Sequence, residues 1–128
     1  MARAATKHAY APYSRFRVGA AILLSDGRFF SGCNVENASY GLTICAERNA
    51  IFCAVAASPR KPEIVAAVVV NDKGAASSPC GACRQVLAEF GPLATVFYPA
   101  AKGFTQRTMQ ELLVDGFMFN PETSNESH

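Results

Sequence analysis

The sequence predicts an α/β fold, a three-layer α/β/α sandwich in which helices cover both faces of a mixed sheet. Two apolar segments flank an Asp-Gly turn near the start, which is typical of a β-hairpin. Helix-forming and strand-forming segments then alternate, without a visible repeat or linker between them. We therefore expect one domain over residues 1–128, with a polar, frayed tail from about residue 120.

The N-terminal elements are predicted from apolar runs and turn residues. Residues 2–9 favour a short helix, which Pro12 ends. Segments 18–24 and 28–33 are expected to be the two hairpin strands. Segment 34–41 is polar and rich in turn residues, and it is expected to be a loop.

The later elements alternate between helix and strand. Segment 64–70 is continuous and rich in Val, Ile and Ala, which is typical of a strand buried on both faces. The full order predicted is helix 45–57, strand 64–70, helix 81–90, strand 94–98 and short helix 108–113. Both longer helices begin after loops, so their N-termini are expected at the sheet edge where open α/β folds bind ligands.

Composition excludes several classes of protein. Half of the 128 residues are hydrophobic and 17% are charged, which argues against disorder. The net charge is +2 and the basic residues are scattered, so we expect no nucleic-acid partner. The apolar run 64–70 is too short to span a bilayer, and the first nine residues lack the apolar core of a signal peptide. We therefore expect a cytoplasmic protein with reduced thiols and no membrane partner.

Three cysteines and one glutamate form the strongest chemical motif. Cys45 begins one predicted helix, and Cys80 and Cys83 begin another, one turn apart. Helix N-termini carry partial positive charge and stabilise thiolates. Three sulfur ligands leave the fourth position of a tetrahedral zinc site open for water, as catalytic zinc sites do. Glu47 is then placed to accept a proton from that water.

Two other interpretations of the cysteines are open at this point. A redox Cys-x-x-Cys pair would need neither Cys45 nor Glu47. A closed structural zinc site would need a fourth ligand, for which Cys33, Cys53 and His8 are the candidates. Cys53 follows Cys45 by roughly 12 Å along the helix, which favours a place in the core, whereas the sequence leaves Cys33 open.

Arg48 is the candidate for balancing the charge of such a site. Three thiolates and one Zn²⁺ leave one net negative charge, which weakens the metal as a Lewis acid. We expect the guanidinium of Arg48 to donate hydrogen bonds to one or two of the sulfurs. The alternative is an ordinary surface arginine on a helix.

The spacing Cys-Ala-Glu followed by Pro-Cys-Gly-Ala-Cys matches the motif of zinc-dependent nucleobase deaminases. The chain resembles the small, all-cysteine cytidine deaminases, and segments 9–14, 16–20 and 32–41 also look like that family. The resemblance covers roughly residues 9–117. It implies a five-stranded mixed sheet, one Zn²⁺ per subunit, a homotetramer, and deamination of cytidine and 2′-deoxycytidine in pyrimidine salvage.

The resemblance also implies roles for the residues at matching positions. Without it, Phe16 and Phe117 would be interpreted as packed aromatics, and Asn34 and Glu36 as turn residues. The implied roles are zinc ligation by Cys45, Cys80 and Cys83; general acid/base catalysis by Glu47; ribose binding by Asn34 and Glu36; base packing by Phe16; base recognition by the backbone of Ala46; and contacts across subunits by Tyr40 and Phe117.

Three other functions compete with this one. A deaminase of a modified cytosine nucleoside such as blasticidin S shares the chemistry, but the segment 34–37 favours an ordinary ribose. Deamination of cytosine within a polynucleotide is disfavoured by the absence of a basic patch in the sequence. A non-catalytic, zinc-stabilised module would use the cysteines but not Glu47.

Overall fold

The structure, a computed structural model, describes residues 1–117 of the chain. The tail predicted from about residue 120 lies outside the described residues. The elements in chain order are α1 (Ala2–Thr6), β1 (Val18–Leu24), β2 (Phe29–Cys33), a 3₁₀ turn (Tyr40–Leu42), α2 (Ala46–Ala56), β3 (Ile64–Asn71), α3 (Gly81–Phe90), β4 (Thr95–Pro99), β5 (Phe104–Thr108) and α4 (Met109–Leu112).

The strands form one mixed sheet in the order β2-β1-β3-β4-β5. β3 and β4 are parallel, and every other neighbouring pair is antiparallel. β3 therefore lies at the centre, as its continuous apolar sequence predicts. The predicted mixed α/β sheet is confirmed, with the five strands that the resemblance implies.

Helices pack on both faces of this sheet, which makes the three layers. On one face, Ala2 of α1 packs against Ala21 and Val70. On the other face, the larger core joins β1, β3 and β4 to α2, α3 and α4; its fully buried side chains include Ile22, Ile51, Ile64, Leu87, Val96 and Met109. Burying such side chains contributes about 1.5–3 kcal/mol each.

Two glycines allow helices to approach the sheet closely. A Cβ at Gly32 would lie 2.4 Å from the backbone nitrogen of Ala50, so α2 packs directly on the backbone of β2. A Cβ at Gly19 would lie 2.1 Å from the carbonyl oxygen of Ala2, so α1 does the same on β1. The first contact fixes α2, and with it the position of Cys45 at its start.

The N-terminal helix is shorter than the predicted 2–9, because the chain is extended at Tyr10. The Tyr10 N–H donates to the Asn34 carbonyl at 3.0 Å, and the Tyr10 carbonyl accepts from the Glu36 N–H at 2.8 Å. The predicted loop 34–41 thus starts as extended backbone and ends in the 3₁₀ turn. These two hydrogen bonds of Tyr10 hold segment 10–16 against loop 34–41.

The residue pattern did not predict β5. Its sequence Phe-Thr-Gln-Arg-Thr is polar. β5 is an edge strand with a neighbouring strand on one side only, so it does not need the apolar sequence of a central strand. Thr108 then caps α4, accepting from the Glu111 N–H at 3.2 Å while the Glu111 carboxylate accepts the Thr108 N–H at 2.9 Å. Among residues 1–117, none of the helices has the length and apolar content needed to cross a bilayer.

Candidate active site

Two helix N-termini bring three cysteines together. Cys45 is the N-cap of α2, Cys80 is the N-cap of α3, and Cys83 lies in the first turn of α3. Their Sγ atoms all lie within 4.8 Å of one another, and those of Cys45 and Cys80 are 3.8 Å apart. The Cys83 N–H donates to the Cys80 sulfur at 3.5 Å, which orients that sulfur. We call these three residues the sulfur site.

The sulfur site fits zinc. Ligands about 2.3 Å from a tetrahedral zinc lie about 3.8 Å apart, the distance between the Cys45 and Cys80 sulfurs. Among residues 1–117, Cys33, Cys53 and His8 are not part of the group, so the closed four-ligand site lacks its candidates. All five cysteines are free thiols, and Cys53 is exposed on α2, so the expectation that it lies in the core is wrong. The donor set is therefore three soft ligands for one zinc, with one position left over.

The pKa values of Cys45 and Cys83 in the sulfur site are shifted in opposite directions. The hydrogen bond with Cys83, helped by Arg48, lowers the pKa of Cys45 to about 5 despite its burial. The same hydrogen bond, together with burial, raises the pKa of Cys83. Zinc binds thiolates, so metal binding displaces the proton that Cys83 retains, and affinity rises with pH.

Arg48 supplies a positive charge beside the sulfurs. Its Nη2 donates to the Cys45 sulfur at 3.5 Å. That hydrogen bond is also the main cause of the raised pKa of Arg48. Its Nε is buried and has no hydrogen-bond acceptor among residues 1–117. The guanidinium of the partly buried Arg48 thus contacts the sulfur site through Nη2.

Glu47 lies in the first turn of α2 and is 4% exposed. Burial raises the pKa of this carboxyl, and the negative charge of Cys45 raises it further. A carboxyl with a raised pKa holds and releases a proton closer to neutral pH than an exposed one does. Ala46, which is fully buried, precedes it, and its N–H is one of the α2 amides without an acceptor inside the helix.

A second cluster of polar contacts surrounds Asn34. Its Oδ1 accepts from the Val18 N–H at 2.9 Å, and its Nδ2 donates to the Phe16 carbonyl at 2.8 Å. The buried amide therefore fixes the backbone of segment 16–18. Phe16, the residue implied to pack on the base, is held by this contact at its carbonyl.

Glu36 anchors the same segment from the other side. Its Oε1 accepts from the backbone N–H groups of Tyr13 at 2.9 Å and Ser14 at 3.1 Å. Its Oε2 accepts from the Ser14 hydroxyl. The hydroxyl bond, with the two N–H groups, lowers the pKa of Glu36, so this carboxyl stays ionised. We call Glu36, Asn34 and Ser14 the anchor site.

Glu36 also lines a cavity of about 330 Å³, together with Tyr13, Ser14, Tyr40 and Thr43. The rings of Tyr13 and Tyr40 meet edge to face with centroids 6.3 Å apart. A cavity of about 390 Å³ at the N-terminal end of β3 is lined by none of the candidate site residues. Of the candidate residues, Glu36 and Tyr40 line the cavity of about 330 Å³.

Tyr40 and Phe117 are the exposed aromatic residues among the candidates. Tyr40 is 77% exposed and Phe117 is 72% exposed. Phe117 is linked to α3, since its carbonyl accepts from the Gln85 side chain at 2.9 Å. Neither aromatic ring is packed into the core of this chain.

Arg84 holds the loop that carries Cys80. No role was predicted for Arg84 from the sequence. Its Nε donates to the Pro79 carbonyl at 2.8 Å, and its two Nη atoms donate to the Leu112 carbonyl at 2.8 Å and the Ser78 hydroxyl at 3.0 Å. It thereby joins that loop to the end of α4. Its place directly after Cys83 in the motif was the available signal.

Comparisons with known proteins agree with this arrangement. Residues 1–99 match the family model described as the cytidine and deoxycytidylate deaminase zinc-binding region. The chain is 47% identical to a cytidine deaminase of Halalkalibacterium halodurans, over 95% of this chain and 91% of that protein. It is 46% identical to one of Sporosarcina psychrophila, over 88% and 82%.

A solved structure gives the same result. The crystal structure of cytidine deaminase from Burkholderia pseudomallei is 49% identical, with a TM-score of 0.82, and the match covers 91% of this chain and 93% of that one. The family match and the sulfur site together confirm the expectation of one zinc per chain. This chain therefore belongs to the family of zinc-dependent cytidine deaminases.

Proposed function

We propose that the protein catalyses the hydrolytic deamination of cytidine and 2′-deoxycytidine to uridine and 2′-deoxyuridine, with release of ammonia. The observation that carries this proposal is the buried Glu47 carboxyl, which interacts with Cys45 and Cys83 of the three converging sulfurs. Three thiolates leave one zinc position open, which suits a catalytic site rather than a structural one. The names of the relatives support a free cytosine nucleoside as substrate.

The proton transfers fall to Glu47. When held by Cys45, Cys80 and Cys83, zinc supplies the acidity that makes water a nucleophile near neutral pH. Glu47 takes the proton of that water and delivers it to N3 of the pyrimidine while the oxygen bonds to C4. It then moves the hydroxyl proton to the exocyclic nitrogen. The C4–N bond breaks with its electron pair on the nitrogen, and ammonia leaves as the C4 carbonyl forms.

The electrostatics of the site support this role. Burial raises the pKa of Glu47, so the carboxyl can hold a proton between taking it from one group and delivering it to the next. Arg48 offsets the surplus negative charge of three thiolates through its contact with Cys45. The site then keeps its Lewis acidity in spite of three anionic ligands.

The nucleoside is proposed to lie between the sulfur site and the anchor site. Glu36 and Asn34 bind the ribose hydroxyls, because an ionised carboxylate accepts hydrogen bonds from them. Phe16 packs on the pyrimidine, and the backbone of Ala46 binds the base amide. The lowered pKa of Glu36 keeps it an acceptor at neutral pH.

We further infer a homotetramer with active sites shared between subunits. Tyr40 and Phe117 expose large apolar surfaces, and an apolar depression on the sheet is lined by residues including Leu23, Phe29 and Phe97. Sedimentation of the zinc-loaded protein is expected to give the mass of four 13.6 kDa chains. A monomer at assay concentrations would contradict this inference.

We place the reaction in pyrimidine salvage in the cytoplasm. The sulfur site needs reduced thiols, which the cytoplasm maintains. A polynucleotide substrate is disfavoured by the net charge of +2 with scattered basic residues. The relatives reported above are named for cytidine, which disfavours a modified nucleoside.

The test is the fall in ultraviolet absorbance of cytidine with zinc-loaded protein, with ammonia measured in parallel. Cytidine and 2′-deoxycytidine are expected to be converted with one ammonia released per nucleoside. Blasticidin S and a cytosine-containing oligonucleotide serve as competing substrates. Conversion of either one in place of free cytidine, or no turnover of any cytosine nucleoside, would overturn the proposal.

A further inference from the structure

We propose that the hydroxyl of Ser14 is a positioning group that sets both Glu36 and Phe16 in the orientation the nucleoside requires. The inference rests on the proposed function, which gives those two residues their contacts with substrate. Ser14 is exposed in this chain and lines the same cavity as Glu36. It acts through its neighbours, so it is a positioning residue and not a catalytic one.

One hydroxyl links the two substrate residues. The Ser14 O–H donates to Oε2 of Glu36, and the Ser14 oxygen accepts from the Phe16 N–H at 3.0 Å. The donor and one acceptor site of the hydroxyl are therefore both used. The carboxylate of Glu36 and the backbone of Phe16 cannot shift independently while both bonds persist.

The hydrogen bonds leave a defined oxygen of Glu36 for a ligand. A carboxylate offers about four acceptor sites, two on each oxygen. The N–H groups of Tyr13 and Ser14 occupy Oε1, and the Ser14 hydroxyl takes one site on Oε2. The remaining site is on Oε2, the oxygen whose orientation the Ser14 hydroxyl controls. A ribose hydroxyl would donate to that site.

The backbone between Ser14 and Phe16 needs this support. Arg15 has φ of 59°, in the left-handed region that residues other than glycine seldom adopt. The bond from the Phe16 N–H to the Ser14 oxygen spans Arg15 and holds this bend. Residues in such conformations persist where surrounding contacts fix them. Loss of the hydroxyl would therefore remove one of three contacts at this bend and leave the bond from the Arg15 N–H to the Ala11 carbonyl at 3.0 Å and the bond from Asn34 to the Phe16 carbonyl at 2.8 Å.

The test compares Ser14→Ala with Ser14→Thr, which retains the hydroxyl, using cytidine and 3′-deoxycytidine. Ser14→Ala is expected to raise KM about tenfold for cytidine, because the charge-assisted hydrogen bond that orients Glu36 is lost. We assign the 3′-hydroxyl to Glu36, because it is the ring hydroxyl that cytidine and 2′-deoxycytidine share. For 3′-deoxycytidine, which lacks that hydroxyl, the rise in KM is expected to be about twofold, from the effect on Phe16 alone. kcat should change by less than about twofold, because the sulfur site is untouched, and Ser14→Thr should restore KM. Ser25→Ala, in the exposed hairpin turn, is the matched control.

The outcomes separate positioning from folding. Equal rises in KM for the two nucleosides, or a fall in zinc content and thermal stability that accounts for the loss, would overturn the inference. If Ser14→Ala does not fold, Ser14→Thr decides: wild-type KM for both nucleosides supports the inference, and a tenfold rise for cytidine overturns it. Failure of the proposed function itself would be different, since wild-type protein would then convert neither nucleoside.

Discussion

The sulfur site and the anchor site are built in opposite ways. The sulfur site brings together three thiols that share protons unequally, beside a buried Arg48 Nε that has no acceptor among residues 1–117. The anchor site is nearly satisfied by the protein alone. The amide of Asn34 and the carboxylate of Glu36 bond to backbone groups of segment 13–18. The first region gathers three sulfur donors that can hold a metal, and the second makes its contacts within the protein.

The two buried carboxyls show the consequence of this difference. Burial dominates at Glu47 and raises its pKa, whereas hydrogen bonds from Ser14 and Tyr13 dominate at Glu36 and lower its pKa. A carboxyl with a raised pKa is suited to moving protons, and one with a lowered pKa is suited to accepting hydrogen bonds. The fold thus gives two chemically identical groups opposite pKa shifts, each suited to the role proposed for that residue.

The largest effect is expected for Glu47→Gln. The amide keeps the shape of the side chain but cannot transfer a proton, so kcat should fall by about 10²–10⁴-fold. Zinc content should stay at one per chain, because Glu47 is not one of the sulfurs. Steady-state kinetics and metal analysis measure both. The matched control is Glu36→Gln, for which a rise in KM should exceed the fall in kcat. Equal changes in kcat and KM for the two variants would contradict the proposal that Glu47 acts in chemistry and Glu36 in binding.

A smaller effect is expected for Arg48→Met, which removes the positive charge beside Cys45. Loss of a group that supports metal ligands typically costs about 10–100-fold in metal affinity. Competition against a chromogenic chelator measures the zinc affinity, with Arg60→Met, an exposed arginine after α2, as the control. Unchanged affinity in Arg48→Met would show that the sulfur site does not depend on the guanidinium.

The smallest effect is on stability at acid pH. The pKa of Glu36 lies below its ordinary value of 4.5 in the folded protein. Its contribution to stability is therefore fully present above the unfolded pKa and is lost as the pH falls through the folded pKa. The difference in free energy of unfolding between wild type and Glu36→Gln should be constant near neutral pH and shrink below about pH 4.5. Urea unfolding at several pH values measures it, and a difference that grows on acidification would contradict the role of Glu36 as an anchor.

Much of this arrangement was predictable from local patterns. Strand β1 and helix α3 have the predicted bounds, because apolar runs and turn residues define them. The sulfur site was predictable because Cys45, Cys80 and Cys83 all lie at helix starts. β5 was not, because a polar edge strand lacks an apolar run.

The contacts that hold the two sites could not be predicted from the sequence. Ser14 and Glu36 are 22 residues apart, and Arg84 reaches a carbonyl 28 residues away. Two of the three Arg84 partners and two of the Glu36 donors are backbone atoms, which carry no sequence pattern. α1 ends early for the same reason, because Tyr10 pairs with the backbone of Asn34 and Glu36.

The central claim is that one zinc on three cysteines, served by Glu47, hydrolyses a free cytosine nucleoside. Titration of zinc into metal-free protein, with cytidine turnover measured at each step, tests it most directly. We predict that turnover rises from zero in proportion to added zinc and levels off at one equivalent per chain, with one ammonia released per cytidine. Turnover that does not depend on zinc, or no turnover at full zinc loading, would contradict the claim.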